Sequence, residues 1–151
     1  MVSINTQAAY LLIPMDNTQS NHLKAYGIAY WLLENDLEID WLLNYRGGSF
    51  LFKQQDGLEK ECKIRGVSYE LIADAQSTLI LNQIASPEVN QDVVKLEKVP
   101  KIAVYSPKSK QPWDDAVTLA LSYAEIPYET VYDEEVIQGL LPIYDWLHLH
   151  H

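Results

Sequence analysis

The sequence predicts an α/β protein with a parallel, doubly wound sheet assembled from repeated βαβ units. Three observations point there. Apolar runs short enough for strands alternate with segments in which apolar residues recur every three or four positions. The order strand, loop, helix, strand occurs twice, over residues 11–43 and 102–133, each time with a proline just past the first strand. The composition, 48% hydrophobic and 21% charged, is that of a globular chain able to bury a core.

Residues 9–15 (AYLLIPM) form an unbroken apolar run ended by Pro14 and a polar DNTQSN stretch, which predicts a first strand buried on both faces. Ser20 or Asn21 then caps a helix through Asn35, with Leu23, Tyr26, Tyr30, Leu33 and Leu37 making one apolar face. Residues 38–45 (EIDWLLNY) read as the second strand, and residues 46–49 (RGGS) as a turn into Phe50, Leu51 and Phe52. A helix is predicted over residues 67–84, ended by Ser86-Pro87, and residues 93–99 as a short strand or connector. Pro100 marks the boundary between a first lobe, residues 10–99, and a second, residues 100–151.

In the second lobe, residues 102–105 are a strand and residues 106–111 a polar loop. Pro112, Asp114 and Asp115 suit a helix opening, since proline fits the first turn and carboxylates favour the positive helix end. That helix buries Val117, Ala120, Leu121 and Ala124 and stops at Pro127. A strand over residues 128–132, a short helix over 134–141 and a last strand over 146–150 complete the pattern. Right-handed crossovers would lay such strands side by side and parallel, in a flavodoxin-like order. A sheet that stops on an apolar strand exposes its edge. The chain is therefore expected to be the N-terminal part of a longer protein, or to have that edge covered by a partner.

Charge excludes one class of partner. With 21 acidic against 11 basic side chains and a net charge of -10, the chain would repel a phosphate backbone, so nucleic acid is not expected. No apolar run approaches the roughly 18 residues that span a bilayer. Residues 1–9 form the N-terminal segment, in which residues 3–9 (SINTQAA) are small and polar and run into the first strand, as in a frayed terminus or the remnant of a processed export signal, which leaves both cytoplasm and periplasm open. The single cysteine, Cys62, excludes an internal disulfide, and no nucleotide loop of the GxxxxGK[ST] or GxGxxG kind occurs, so no cofactor is expected.

In parallel sheets ligands bind beyond the carboxyl ends of the strands. The residues arriving there are Asp16 and Asn17, the turn with Arg46, Gly47 and Gly48, residues 106–108, Asp133 with its acidic neighbours, and residues 148–151. Asp16, Arg46, Gly47, Gly48 and Asp133 are the candidate ligand-binding set, weighed against ordinary capping and turn roles. Arg46 and the glycine amides could hold an anion. His148 and His150, two apart on a strand, share a face and are the candidates for acid/base work or for a metal, although spacing supplies no third ligand. Cys62, in a charged segment away from any tight strand-to-helix turn, is a poor nucleophile.

Residues 12–15 (LIPM), 22–30 (HLKAYGIAY), 40–50 (DWLLNYRGGSF), 101–132 (KIAVYSPKSKQPWDDAVTLALSYAEIPYETVY) and 144–151 (YDWLHLHH) resemble a bacterial family labelled asparagine synthetase B. The resemblance implies a lobe similar to the class I glutamine amidotransferase fold, a longer parent protein whose C-terminal remainder is a partner of this segment, and frequent export. The label also implies an N-terminal cysteine and an SGGxDS loop. Here Met1 is followed by Val2 and no such loop occurs, so the fold carries over with no functional residue attached. The expected function is a lobe that binds a small ligand or another domain. The alternatives are an enzyme on an amide or glycan-type substrate completed by residues beyond 151, and a structural module.

Overall fold

In a computed structural model that describes residues 9–109 and 115–149, the chain divides into two units, Met1–Lys98 and Val99–His151. The first contains β1 (Tyr10–Ile13), α1 (His22–Glu34), β2 (Ile39–Leu43), β3 (Ser49–Lys53), α2 (Leu58–Arg65), β4 (Glu70–Ile72), α3 (Asp74–Ile84) and β5 (Asp92–Leu96). Its five strands lie in the order β4-β1-β3-β2-β5. Every neighbouring pair is antiparallel.

This overturns the expected parallel sheet for the first lobe. The reason lies in the turn after β2: a connection of a few residues can only reverse the chain, whereas parallel neighbours need a crossover of a dozen or more. β3 thus inserts between β1 and β2, which remain parallel to one another but never touch. The β-α-β-β-α-β order with strands arranged 4-1-3-2 is the split βαβ, ferredoxin-like motif, extended here by α3 and β5.

Strand alternation separates two faces. Leu12, Leu42, Leu51 and Ile72 pack with Ile80 and Ile84 of α3. Leu11, Ile13, Phe50 and Phe52 face the other way, where the Tyr26 ring of α1 meets Phe50 edge-on at 5.8 Å. Helices on both faces bury successive residues of β1, which is why it reads as the unbroken run typical of a parallel sheet. The α1 cap is as expected: Lys24 N donates to Asn21 Oδ1 at 3.1 Å. Its buried stripe is different, because Ala25, Ile28, Ala29 and Leu32 face inward while Leu23 and Tyr26 are exposed. Small residues on that stripe let the helix approach the sheet closely.

The helix expected over 67–84 is instead a strand and a helix, β4 and α3. Ahead of them α2, which the charged sequence LEKECKIR conceals, is closed by Gly66 at φ +69°. Only Leu58 and Cys62 of α2 are buried, one turn apart.

The second unit contains β6 (Ile102–Tyr105), α4 (Ala116–Ala124), β7 (Glu129–Val131), α5 (Asp133–Ile137), a 3-10 turn at Leu141–Ile143 and β8 (Trp146–Leu149). Here the parallel expectation agrees with the structure: β7 and β8 each pair in parallel with β6, in the order β7-β6-β8. The strands at 102 and 146 are therefore neighbours, while the strand at 11 belongs to the other, antiparallel sheet. α4 opens at Ala116 with Asp115 as its cap, and Pro112 and Asp114, read as its opening, lie outside the described residues. Among the described residues no helix is long and apolar enough to cross a membrane.

Candidate functional site

The candidate residues are divided between the two units. Asp16, Arg46, Gly47 and Gly48 belong to the first unit, Asp133 and His148 to the second, and His150 lies outside the described residues.

In the first unit the turn between β2 and β3 is a run of left-handed backbone: Asn44, Arg46, Gly47 and Gly48 all have positive φ. It is tied to the end of β1 by Met15 N donating to Arg46 O at 3.1 Å. Folding the turn against β1 brings Arg46 onto Asp16, with Nε donating to Asp16 Oδ2 at 2.8 Å. Nη1 donates to Glu70 Oε1 at 2.8 Å and Nη2 to Thr18 Oγ1 at 3.1 Å. The guanidinium is thus committed to two carboxylates and a hydroxyl. This arrangement ties three segments together, and the charge of Arg46 is already paired within the fold.

The Arg46 hydrogen bond, then those from the Thr18 side chain and amide, hold the Asp16 carboxyl down at about 2, from an ordinary 3.8. A lowered folded-state value means this stabilisation is complete above the unfolded value and disappears as pH falls through the folded one. We predict that the urea midpoint of the wild type falls between pH 3.8 and about 2. Arg46→Gln should flatten the change across that window, and an unaltered slope in the variant would show that the pair does not control it.

Beside this hub the loop before α1 is held by Gln19, which sequence reasoning missed. Its buried amide donates to Pro14 O at 2.8 Å and Ser68 O at 3.1 Å, and accepts from Ser68 N at 2.8 Å. Both of its polar atoms are satisfied, so it is a structural brace. Cys62 is buried, and burial together with Glu61 pushes its thiol up to about 11, against the opposing pull of Arg65. It is a thiol at neutral pH, as its sequence surroundings suggested.

In the second unit, His148 on β8 places Nε2 2.7 Å from Asp115 Oδ2. The other carboxylate oxygen accepts from Val117 N at 2.6 Å and caps α4. A carboxylate only accepts, so Nε2 carries a hydrogen. Trp146 shares the face of His148, and their rings lie 6.3 Å apart. Leu147 and Leu149 project to the opposite face and, with Tyr105, Val136, Ile137 and Leu141, line an apolar groove of about 380 Å³. At its mouth Tyr105 Oη donates to Asp133 Oδ1 at 2.6 Å, a bond that raises the phenol's proton affinity. Asp133 is thereby a partner of Tyr105 at the start of α5. Among the described residues no three histidine, cysteine or carboxylate side chains are grouped to hold a metal.

A second, polar cavity of about 320 Å³ lies at the other end of the first sheet, lined by Tyr10, Glu38, Asp40, Leu51, Lys53 and Lys95 among others. Sequence reasoning missed these residues, because the preference for strand carboxyl ends belongs to parallel sheets and this one is antiparallel. No family model matches the chain, and neither does any curated protein or solved structure.

Proposed function

We propose that the chain is a binding lobe of a larger α/β protein, without a complete active site of its own. On this reading the second unit opens a flavodoxin-like or class I glutamine amidotransferase-like sheet, and further polypeptide adds a fourth parallel strand at the free edge of β8. That polypeptide is the C-terminal remainder of the parent protein. The observation that carries the reading is an incomplete core. Among its described residues the unit buries five apolar side chains and exposes nine large ones, with Ile137 84% and Leu149 53% exposed. A parallel sheet needs cover on both faces, and a flat apolar edge invites pairing. The order β7-β6-β8 also equals the first three positions of the 2-1-3-4-5 arrangement. The resemblance to the asparagine synthetase B family enters at this level alone, through the arrangement of strands.

Hydrogen exchange tests it. In the 151-residue chain the amides of β6 and β8 should exchange by local opening, well before those of β1 and β3. They should become protected when the polypeptide that follows in the parent is present. Protection of β6 and β8 equal to that of β1 in the 151-residue chain would mean the unit is complete, and the reading would be abandoned.

The 2.7 Å contact between His148 and Asp115 favours a second reading, an acid/base pair acting on an amide or glycan-type substrate. Hydrolysis by the longer protein that survives His148→Gln unchanged would dispose of it.

A further inference from the structure

The polar cavity of the first unit is a mixed-charge site on a sheet face that is otherwise apolar. In register, Tyr10 lies opposite Lys53, and Asp40 lies opposite both Leu51 and Lys95. These side chains share the face that α3 covers farther along, through Leu12, Leu42 and Leu51. The cavity is lined by two lysines, Lys53 and Lys95, and three carboxylates, Asp36, Glu38 and Asp40. Lys95 Nζ pairs with Glu38 Oε2 at 3.2 Å. Asp40 faces Lys95 across the β2–β5 pair and its charge adds to that of Glu38 in holding Lys95 protonated, yet neither the Asp40 nor the Lys53 side chain makes a hydrogen bond or a close ion pair among the described residues. They are diagonal neighbours on adjacent antiparallel strands, a placement that sets backbones about 7–8 Å apart.

We propose that this cavity binds a small zwitterion of the α-amino acid class, its ammonium on Asp40 and its carboxylate on Lys53. The two ligand charges sit side by side on one carbon. With a charge-assisted bond of about 2.7–2.9 Å to each partner, such a molecule bridges the diagonal that the two side chains leave open. Neither charge alone suffices. A simple anion would bring a further negative charge beside Asp36, Glu38 and Asp40, and a simple cation a further positive one beside Lys53 and Lys95. The body of the ligand would lie along Tyr10 and Leu37, which also line the cavity. This site is in the other unit, so it stands or falls separately from the extension of β8.

Titration calorimetry with L-norleucine, hexanoate and pentylamine separates the requirements, since the last two lack the ammonium and the carboxylate respectively. Norleucine should bind in the millimolar range or tighter, and each analogue about tenfold or more weaker. Asp40→Asn and Lys53→Gln should each weaken norleucine by about tenfold or more, while Asp40→Glu retains most of the affinity. Neither side chain holds a hydrogen bond or a close ion pair among the described residues, so both variants should give the circular dichroism of the wild type. Amide shifts on adding norleucine should appear at Leu37, Lys53 and Gln55. No heat and no shifts at millimolar norleucine would overturn the proposal. Equal binding of all three compounds, or variants that bind norleucine like the wild type, would do so as well.

Discussion

Replacing Gly47 by alanine is expected to lower the unfolding free energy of the first unit by roughly 2–5 kcal/mol, from a left-handed backbone cost of about 1–2 and an overpacking cost of about 1–3. Gly47 has φ +81°, and a Cβ there would run into the Met15 carbonyl, with the carbonyl carbon 2.7 Å away. The obstruction is backbone and cannot swing aside. Relief would require the turn to lift off β1, which breaks the bond from Met15 N to Arg46 O and moves the guanidinium away from Asp16. Gly57→Ala is the control. Its φ of +89° is equally left-handed but nothing lies within 4 Å of the new methyl group, so only the backbone cost of about 1–2 kcal/mol applies. Urea unfolding followed by the fluorescence of Trp31 and Trp41 gives both values. If Gly47→Ala proved no worse than Gly57→Ala, the close approach of turn and strand would be wrong.

Gly47 also illustrates what was legible in the sequence. The glycine pair between two apolar runs announces a tight turn, and such a turn already forbids parallel neighbours. The inference failed because β1 reads as a continuous apolar run, the mark of a strand covered on both faces. That signal reports burial and says nothing of direction. In the first unit α1 and α3 supply the two covers over an antiparallel sheet. In the second unit β6 and β7 are joined through α4, a connection long enough for a crossover, and the parallel expectation was met.

Candidate residues divide in the same way. Asp16 and Arg46 were named together as part of a ligand-binding set, and the turn does bring them together; what the sequence could not reveal is that they bond to each other, and Arg46 to Glu70 and Thr18 as well. His148 was chosen for its spacing from His150. Its partner is Asp115, 33 residues away, and Asp115 had been read only as a favourable charge at a helix start. The Asp40 and Lys53 diagonal appears only once β2 and β3 are set in register, because the two residues lie in different strands with no motif between them.

Leu51→Ala should cost about 2–5 kcal/mol, the range for removing a fully buried leucine from a core that cannot collapse around the gap. Leu51 is 0% exposed and sits in β3, the middle strand of five, flanked by Leu12 on β1 and Asp40 on β2. Its side chain packs in the cluster that joins the sheet to Ile80 and Ile84 of α3. Leu71, 44% exposed on the edge strand β4, provides the comparison, and Leu71→Ala should cost under about 1 kcal/mol. The contrast discriminates between arrangements. Were residues 50–52 the tail of a turn beside a parallel sheet, Leu51 would lie at an edge and the two substitutions would cost alike. With β3 at the centre, Leu12→Ala and Leu51→Ala share one cavity. Their combined effect should then depart from the sum by about 0.5–3 kcal/mol, as contacting core residues do. Strict additivity in that pair would place the two strands apart.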